Sequence, residues 1–370
     1  MTEGATKKQK LKQVWQYAYI ALTVILLLAL GFFDKELGAL FSGGTPISAK
    51  WLAAGGLSLL GFYAAQTAVY DLSARMVGAR VSLWRSFRVM MFGEYYSAIT
   101  PLASGGQPMQ LGYYKRYGVS AARGASILAL RYIGYVSSIC LLCVISFFII
   151  GEKTIIGHPV LFSLTAVGFA VNLASMIMAA LLLLRPSLAG KVALFAVRLI
   201  TRLPMLKKKK EKWEAGTLNS LGELADAADC VRRHPLTCLG VMLLSLASVV
   251  SQFSAAYIVY RAVGLSGAAY PELFSMQIFL FLAVAFAPTP GAAGVTEGGF
   301  YLFFAGLFPK PMLYGSMLLW RLITYYSSLI FGAALVIFDE LAAVRKSKRK
   351  PKLETISQPA EESIGGSAKE

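Results

Sequence analysis

At 370 residues, with 56% hydrophobic side chains, only 15% charged ones and a mean hydropathy of +0.60, the chain is too apolar for a water-soluble globular domain. A net charge of +17 would suit a nucleic-acid binder, but here Lys and Arg gather in short segments flanking apolar runs. That is the pattern of topology signals and of contacts to anionic lipid headgroups. Of the four cysteines, Cys140 and Cys143 lie inside an apolar run, and Cys230 and Cys238 flank a basic segment beside a single histidine, His234, which argues against a disulfide framework or a zinc set.

The chain opens with Lys7, Lys8, Lys10 and Lys12 and then runs apolar over 14–33 without a small-residue cleavage site, which reads as a retained first span. Further runs long enough to cross a bilayer cover 51–70, 124–150, 160–184, 236–260 and 312–338. Two other apolar stretches, 92–114 and 271–308, are broken in the middle by Thr, Pro and Gly. The positive-inside rule puts the basic start in the cytoplasm. Arg75, Arg80, Arg85 and Arg88 precede the first broken stretch and Lys115, Arg116 and Arg123 follow it, so both of its flanks face the cytoplasm, as in a re-entrant hairpin. The second broken stretch has no Lys or Arg from 262 to 309, and so begins and ends outside. Lys35, Lys50, Lys153, Arg261 and Lys310 fall outside or at the outer edge, Arg131 and Arg321 fall within spans, and the other basic residues are cytoplasmic.

The expected fold is an all-α polytopic membrane protein of six full spans plus two re-entrant broken-helix hairpins, or up to eight spans if the hairpins cross. Residues 1–13 form a basic cytoplasmic start and 14–150 a first membrane repeat. The second repeat takes 151–184 and 236–338, interrupted by a basic cytoplasmic loop, 185–235, with an amphipathic helix. Residues 339–370, rich in Lys, Glu, Ser, Gly and Pro, read as a disordered cytoplasmic tail. A multi-pass protein of a bacterial cell membrane with both termini inside is the matching location.

The two breaks echo each other. Thr100, Pro101, Ala103 and Gly105 match Thr289, Pro290, Ala292 and Gly294 as T-P-x-A-x-G, and Arg131, Ile133, Tyr135, Ser137 and Ser138 match Arg321, Ile323, Tyr325, Ser327 and Ser328 at nearly the same offset. With the topology above, the halves are related by inversion, an architecture in which broken helices meet near the midplane of many secondary transporters. Backbone groups freed at such breaks must be buried in protein or line a wet cavity.

At these residues the chain resembles the transmembrane, flippase-type region of the lysylphosphatidylglycerol synthase family. The resemblance rests on the T-P-x-x-x-G-G-Q-P run at 100–108, the P-T-P-G-x-x-G-x-x-E run at 288–297, and the runs L-G-Y-Y-K-R-Y-G-V at 111–119 and L-W-R-L-I-T-Y-Y at 319–326. It implies a membrane region that moves an anionic or aminoacylated phospholipid, or a related lipid-linked substrate, between leaflets. In full-length members a soluble domain transfers an aminoacyl group from tRNA to phosphatidylglycerol, and the residues after Phe338 read as too few for such a domain. The alternative is a component of aminoacyl-phospholipid synthesis, a phosphatidylglycerol lysyltransferase by homology, acting with a separate soluble synthase.

Ionisable residues inside a membrane are costly and mark function, which singles out Arg131, Arg321, Glu297 and Glu94. Arg131 lies roughly 10 Å into its span at 1.5 Å per residue. The two arginines either bind a headgroup phosphate, which a forked guanidinium suits, or pair with a hairpin carboxylate or carbonyl to lock the fold. Glu297 either meets a cationic headgroup or a proton, or pairs with Arg321; Glu94 reads as interfacial and structural. Thr100, Pro101, Gly105, Gly106 and Gln107 in the first break, with Thr289, Pro290, Gly291 and Gly294 in the second, either admit a headgroup to exposed backbone or let helices pack closely. No Walker A, nucleophile elbow or H-E-x-x-H is present, so no catalytic residue, cofactor or metal is called for. The partners to expect are a phospholipid substrate and anionic inner-leaflet lipid at the basic loop, with a separate synthase and a second copy of the chain left open; nucleic acid is not expected.

Overall fold

A computed structural model of the chain describes residues 47–151, 158–202 and 210–349. The first apolar run, the lysines at 207–209 and the tail beyond 349 lie outside the described residues. The chain divides into two compact units, Gly31–Gly332 and a second made of its two ends, of which the structure describes the helical residues 333–349.

The described residues are helical throughout, with no strand among them. In chain order the helices are α1 (Ala49–Met76), α2 (Leu83–Ile99), α3 (Gly106–Arg116), α4 (Ala121–Ser146), α5 (Pro159–Leu184), α6 (Pro186–Ile200), α7 (Lys210–Asn219), α8 (Leu221–Arg233), α9 (Pro235–Phe253), α10 (Ala255–Ala262), α11 (Tyr270–Val284), α12 (Val295–Phe304), α13 (Lys310–Arg321) and α14 (Ser327–Arg349). Among the described residues, five stretches are long and apolar enough to cross a membrane: Ala49–Met76, Ala121–Ile150, Pro159–Leu184, Pro235–Ala262 and Lys310–Asp339. These are the second to sixth expected spans, and the chain is an all-α, multi-pass membrane protein. Their outward faces carry exposed apolar side chains such as Leu57, Val160, Phe162 and Leu243, as a lipid solvent requires.

The breaks form where the sequence places them; the first hairpin is longer than its apolar stretch suggested, and the second ends four residues earlier, at Phe304. The first runs from Leu83 to Arg116 as α2, a tight turn at Pro101–Ala103 and α3; the second from Tyr270 to Phe304 as α11, a tight turn at Pro290–Ala292 and α12. A residue before proline is driven out of the helical region, and Thr100 (ψ 144°) and Thr289 (ψ 148°) are both extended. At the next position but one, Leu102 and Gly291 are left-handed (φ 53° and 60°), and so are Ala103 and Ala292 behind them. The echo in sequence is thus an echo in backbone conformation. Within unit Gly31–Gly332 the two tight turns pack against each other, α2 packs on α3 and α11 on α12, and α1 packs along α9.

A further repeat emerges at the ends of α1 and α10. Arg75, Val77 and Gly78 correspond to Arg261, Val263 and Gly264, and in both cases a left-handed glycine (φ 71° and 85°) closes the helix. Gly78 N–H donates to the Arg75 carbonyl and Gly264 N–H to the Arg261 carbonyl, at 3.0 and 3.2 Å.

Among the described residues, the segment 185–235 holds the helices α6, α7 and α8. In α6, Val192, Phe195 and Leu199 are exposed on a helix that also carries Lys191 and Arg198. Glu223 of α8 accepts a hydrogen bond from Ser120, joining this segment to the start of α4.

Candidate functional site

Arg131 projects from α4, where Gln66 of α1 accepts from its Nε at 3.1 Å and Glu94 of α2 pairs with its Nη2 at 3.3 Å. Its guanidinium lies 4.8 Å from the centre of the Tyr135 ring, one helical turn on, and 5.8 Å from that of Tyr70. Gln66 is fully buried and donates through its other end to Ser248 at 2.8 Å, which fixes the amide that receives the arginine. Gln110 of α3 in turn donates to the Tyr70 hydroxyl at 2.7 Å.

Arg321 occupies the matching place at the end of α13. Its Nε and Nη2 lie 2.7 and 2.6 Å from one Glu297 oxygen, and Nη1 donates to the Gly291 carbonyl at 3.3 Å. The other Glu297 oxygen accepts from Gly294 N–H at 2.6 Å, so the acid at the third position of α12 caps the helix start from its own side chain. The ring of Tyr325, again four residues on, lies 4.9 Å beneath the guanidinium. Below Arg321 the helix widens into a π-type turn, Leu322–Tyr326, where the matching residues after Arg131 in α4 stay regular; such turns are frequent at functional sites.

Both arginines line one cavity of about 500 Å³, together with Glu94, Ser97, Gln107, Gln110, Tyr132, Tyr135, Asn172, Gln252, Gln277, Thr296 and Tyr325. Its volume falls in the range of small-molecule sites, and its wall mixes aromatic rings with a few convergent polar groups. Glu94 sits on this wall within α2 and pairs with Arg131.

The break residues divide. Gln107 and Gly291 reach the cavity, with Leu102, Ala103 and Ala292. Thr100 is turned inward on its own break, donating to the Tyr96 carbonyl at 2.7 Å and accepting from Gly105 N–H at 2.8 Å, and Thr289 donates to the Ala293 carbonyl at 2.8 Å. Pro101 and Pro290 each begin a tight turn. Gly106 serves close packing, since a Cβ there would lie 2.7 Å from the Gly93 carbonyl of α2. Glu297 and Gly294 stand behind Arg321 rather than on the cavity wall. The carboxylate partners are therefore not equivalent: one comes from the incoming arm of its hairpin, the other from the outgoing arm.

Each stacked tyrosine also reaches the opposite half. Tyr135 donates to Gln252 of α9 at 2.9 Å, and Tyr325 donates to the Ala98 carbonyl of α2 at 3.2 Å. The glutamines, Gln66 and Gln252, and the tyrosine Tyr70 were not foreseen as site residues. A signal was present, since each glutamine lies nine residues before the arginine of the repeated R-x-V-G helix end, within an apolar span where a polar amide needs a reason. Among the described residues no group of three or more His, Cys, Asp or Glu could hold a metal ion; His158 precedes α5 and His234 follows α8, both exposed.

Comparison with known proteins agrees with this architecture. The family described as "Lysylphosphatidylglycerol synthase TM region" matches residues 16–332. A UPF0104 membrane protein of Archaeoglobus fulgidus is 22% identical over 271 residues, covering 72% of this chain and 80% of its own length.

Proposed function

We propose that this chain, which belongs to the family of the lysylphosphatidylglycerol synthase TM region, is a lipid translocator that moves an anionic or aminoacylated phospholipid, or a related lipid-linked substrate, between leaflets. The observation that carries the reading is the pair Arg131 and Arg321, one from each half, on a single cavity. A phosphate bound there meets planar, forked donors in a site whose wall also carries amide and hydroxyl side chains between aromatic rings. An incoming phosphate competes with Glu94 for Arg131, and the released carboxylate is then available to the ammonium of an aminoacylated headgroup.

The repeated, oppositely oriented halves supply two arrangements of one site, and the breaks that meet at its floor allow the halves to rock about it. With no Walker A in the sequence, a gradient or simple equilibration drives the movement.

Purified protein in liposomes containing a leaflet-specific fluorescent phospholipid tests this. Accelerated exchange between leaflets is expected, and exchange equal to that of empty vesicles under every imposed gradient sinks the reading. The description of the family names a synthase, which favours one second reading, a component of aminoacyl-phospholipid synthesis that works with a soluble partner. Incubation with lysyl-tRNA and phosphatidylglycerol tests it, and new aminoacyl lipid is the result that reading needs.

A further inference from the structure

Beside the polar cavity lies a second one, of about 460 Å³, with a different character. Its wall is built by α3, the first turns of α4, the end of α5 and one residue each of α6 and α8, and it is largely leucine and alanine, with Leu111, Leu128, Leu182, Leu183 and Leu224 among its lining. The hydroxyl of Ser126 on this wall is spent on the Ala122 carbonyl at 3.0 Å. A space so lined offers water few partners and favours an apolar occupant.

Two residues belong to both cavities, Gln107 and Tyr132. Tyr132 is held as a fixed post by its hydroxyl, 2.7 Å from that of Ser175 on α5. On one side of that post lies the Arg131–Glu94 pair, and on the other lies hydrocarbon. Near the apolar space are the charged ends of the spans, with Arg123 at the start of α4 and Arg185 after α5, and the exposed Val192 and Phe195 of α6. That is the chemistry of a membrane–water boundary, where an acyl chain meets its headgroup.

We propose that the apolar cavity is an acyl-chain site for the same lipid whose headgroup occupies the polar cavity, with Gln107 and Tyr132 at the junction of head and tail. The inference rests on the headgroup reading above and deepens it: the ligand is an amphiphile that enters between α3 and α5 with its chain still in an apolar environment, not a free phosphate compound. A soluble glycerol phosphate fills one cavity and leaves the other without an occupant, and so binds more weakly than a phospholipid with the same headgroup.

Photo-crosslinking of the full chain in nanodiscs, with phosphatidylglycerol carrying a diazirine at the end of one acyl chain, tests this. Labelling is expected on the Leu128 and Leu182 side of Tyr132. Loss of a charged hydrogen-bond partner in Arg131→Ala lowers it roughly tenfold, while labelling of outward-facing Leu57 and Leu60 on α1 stays unchanged. Ala129→Phe fills the apolar cavity without touching the arginine and is expected to lower the same labelling. Cavity labelling no greater than that of Leu57 and Leu60, or labelling indifferent to both substitutions, overturns the acyl-chain site. The two readings fail separately: lipid exchange in liposomes without cavity labelling removes only this site, and cavity labelling without lipid exchange removes the translocator but leaves a lipid-binding pocket.

Discussion

Arg321 and Glu297 form a close ion pair, with Nε donating to the carboxylate at 2.7 Å and Nη2 within 2.6 Å of the same oxygen, while the equivalent arginine, Arg131, meets Glu94 through Nη2 at 3.3 Å. Arg321 also holds the Gly291 carbonyl in the second break, and Glu297 holds Gly294 N–H. The halves therefore use one repeated arginine differently. The Arg321 cluster fixes the shape of a broken helix, and the Arg131 pair faces the cavity with room to exchange partners.

Removing Arg321 leaves Glu297 and a break carbonyl without their partner inside the bundle. Truncating the arginine of this half-buried pair, which also holds a break carbonyl, costs on the order of 2 kcal/mol, so Arg321→Ala is expected to lower the thermal midpoint of the purified protein below that of Glu94→Gln, where about 1 kcal/mol is at stake. Equal midpoints for the two variants would contradict the division of labour.

Gly291 answers to two constraints at once. Its backbone is left-handed (φ 60°), and a Cβ would sit 2.3 Å from the Tyr325 hydroxyl oxygen. Gly291→Ala is expected to destabilise by more than the roughly 1 kcal/mol of a left-handed alanine alone, because Tyr325 must also leave Arg321. At the matching Leu102 the same conformation is already strained, so Leu102→Gly is expected to leave the melting temperature unchanged or raised; a fall of several degrees would show that the leucine side chain outweighs the backbone term.

In the proposed site, the tyrosines under the arginines would tie headgroup binding to the contact between halves. Tyr135→Phe and Tyr325→Phe keep the ring but delete the bonds to Gln252 and the Ala98 carbonyl, each worth about 1 kcal/mol. Lipid binding should hold while the rate of transbilayer movement changes several-fold. A loss of binding with an unchanged rate would reverse the assignment.

The inverted arrangement predicts which side each hairpin enters from. In a background lacking the native cysteines, Lys115→Cys after the first break and Ser266→Cys before the second are both exposed, and a membrane-impermeant maleimide should reach them from opposite faces. Labelling of both from one face would end the inverted-repeat account. The tips of the breaks suit this test less well, because the two turns pack against each other.

Much of this arrangement is legible in the sequence because membrane spans and breaks are written in composition. The five described spans fall within a few residues of the apolar runs, and T-P-x-A-x-G locates both breaks to the residue. What composition cannot carry is pairing across the bundle. Glu94 and Glu297 stand on opposite arms of their hairpins, so no repeat in the sequence points to the acid that Arg131 meets. Helices α7 and α8 are polar enough to read as a loop, and α8 becomes a helix against its neighbours, where Ala227 and Ala228 are buried. The π-type turn beneath Arg321 leaves no trace in a sequence whose other copy, around Tyr132, is regular.

The central claim is that Arg131 meets the lipid headgroup during its passage. Exchange of fluorescent phosphatidylglycerol between leaflets, followed in proteoliposomes by its accessibility to an impermeant quencher, tests this with wild type, Arg131→Lys and Arg131→Ala side by side. Accelerated exchange is expected for wild type, with a loss of about tenfold or more in Arg131→Ala as a charged hydrogen bond disappears, and partial activity in Arg131→Lys, which keeps the charge but not the fork. Exchange by a folded Arg131→Ala protein at the wild-type rate would contradict it.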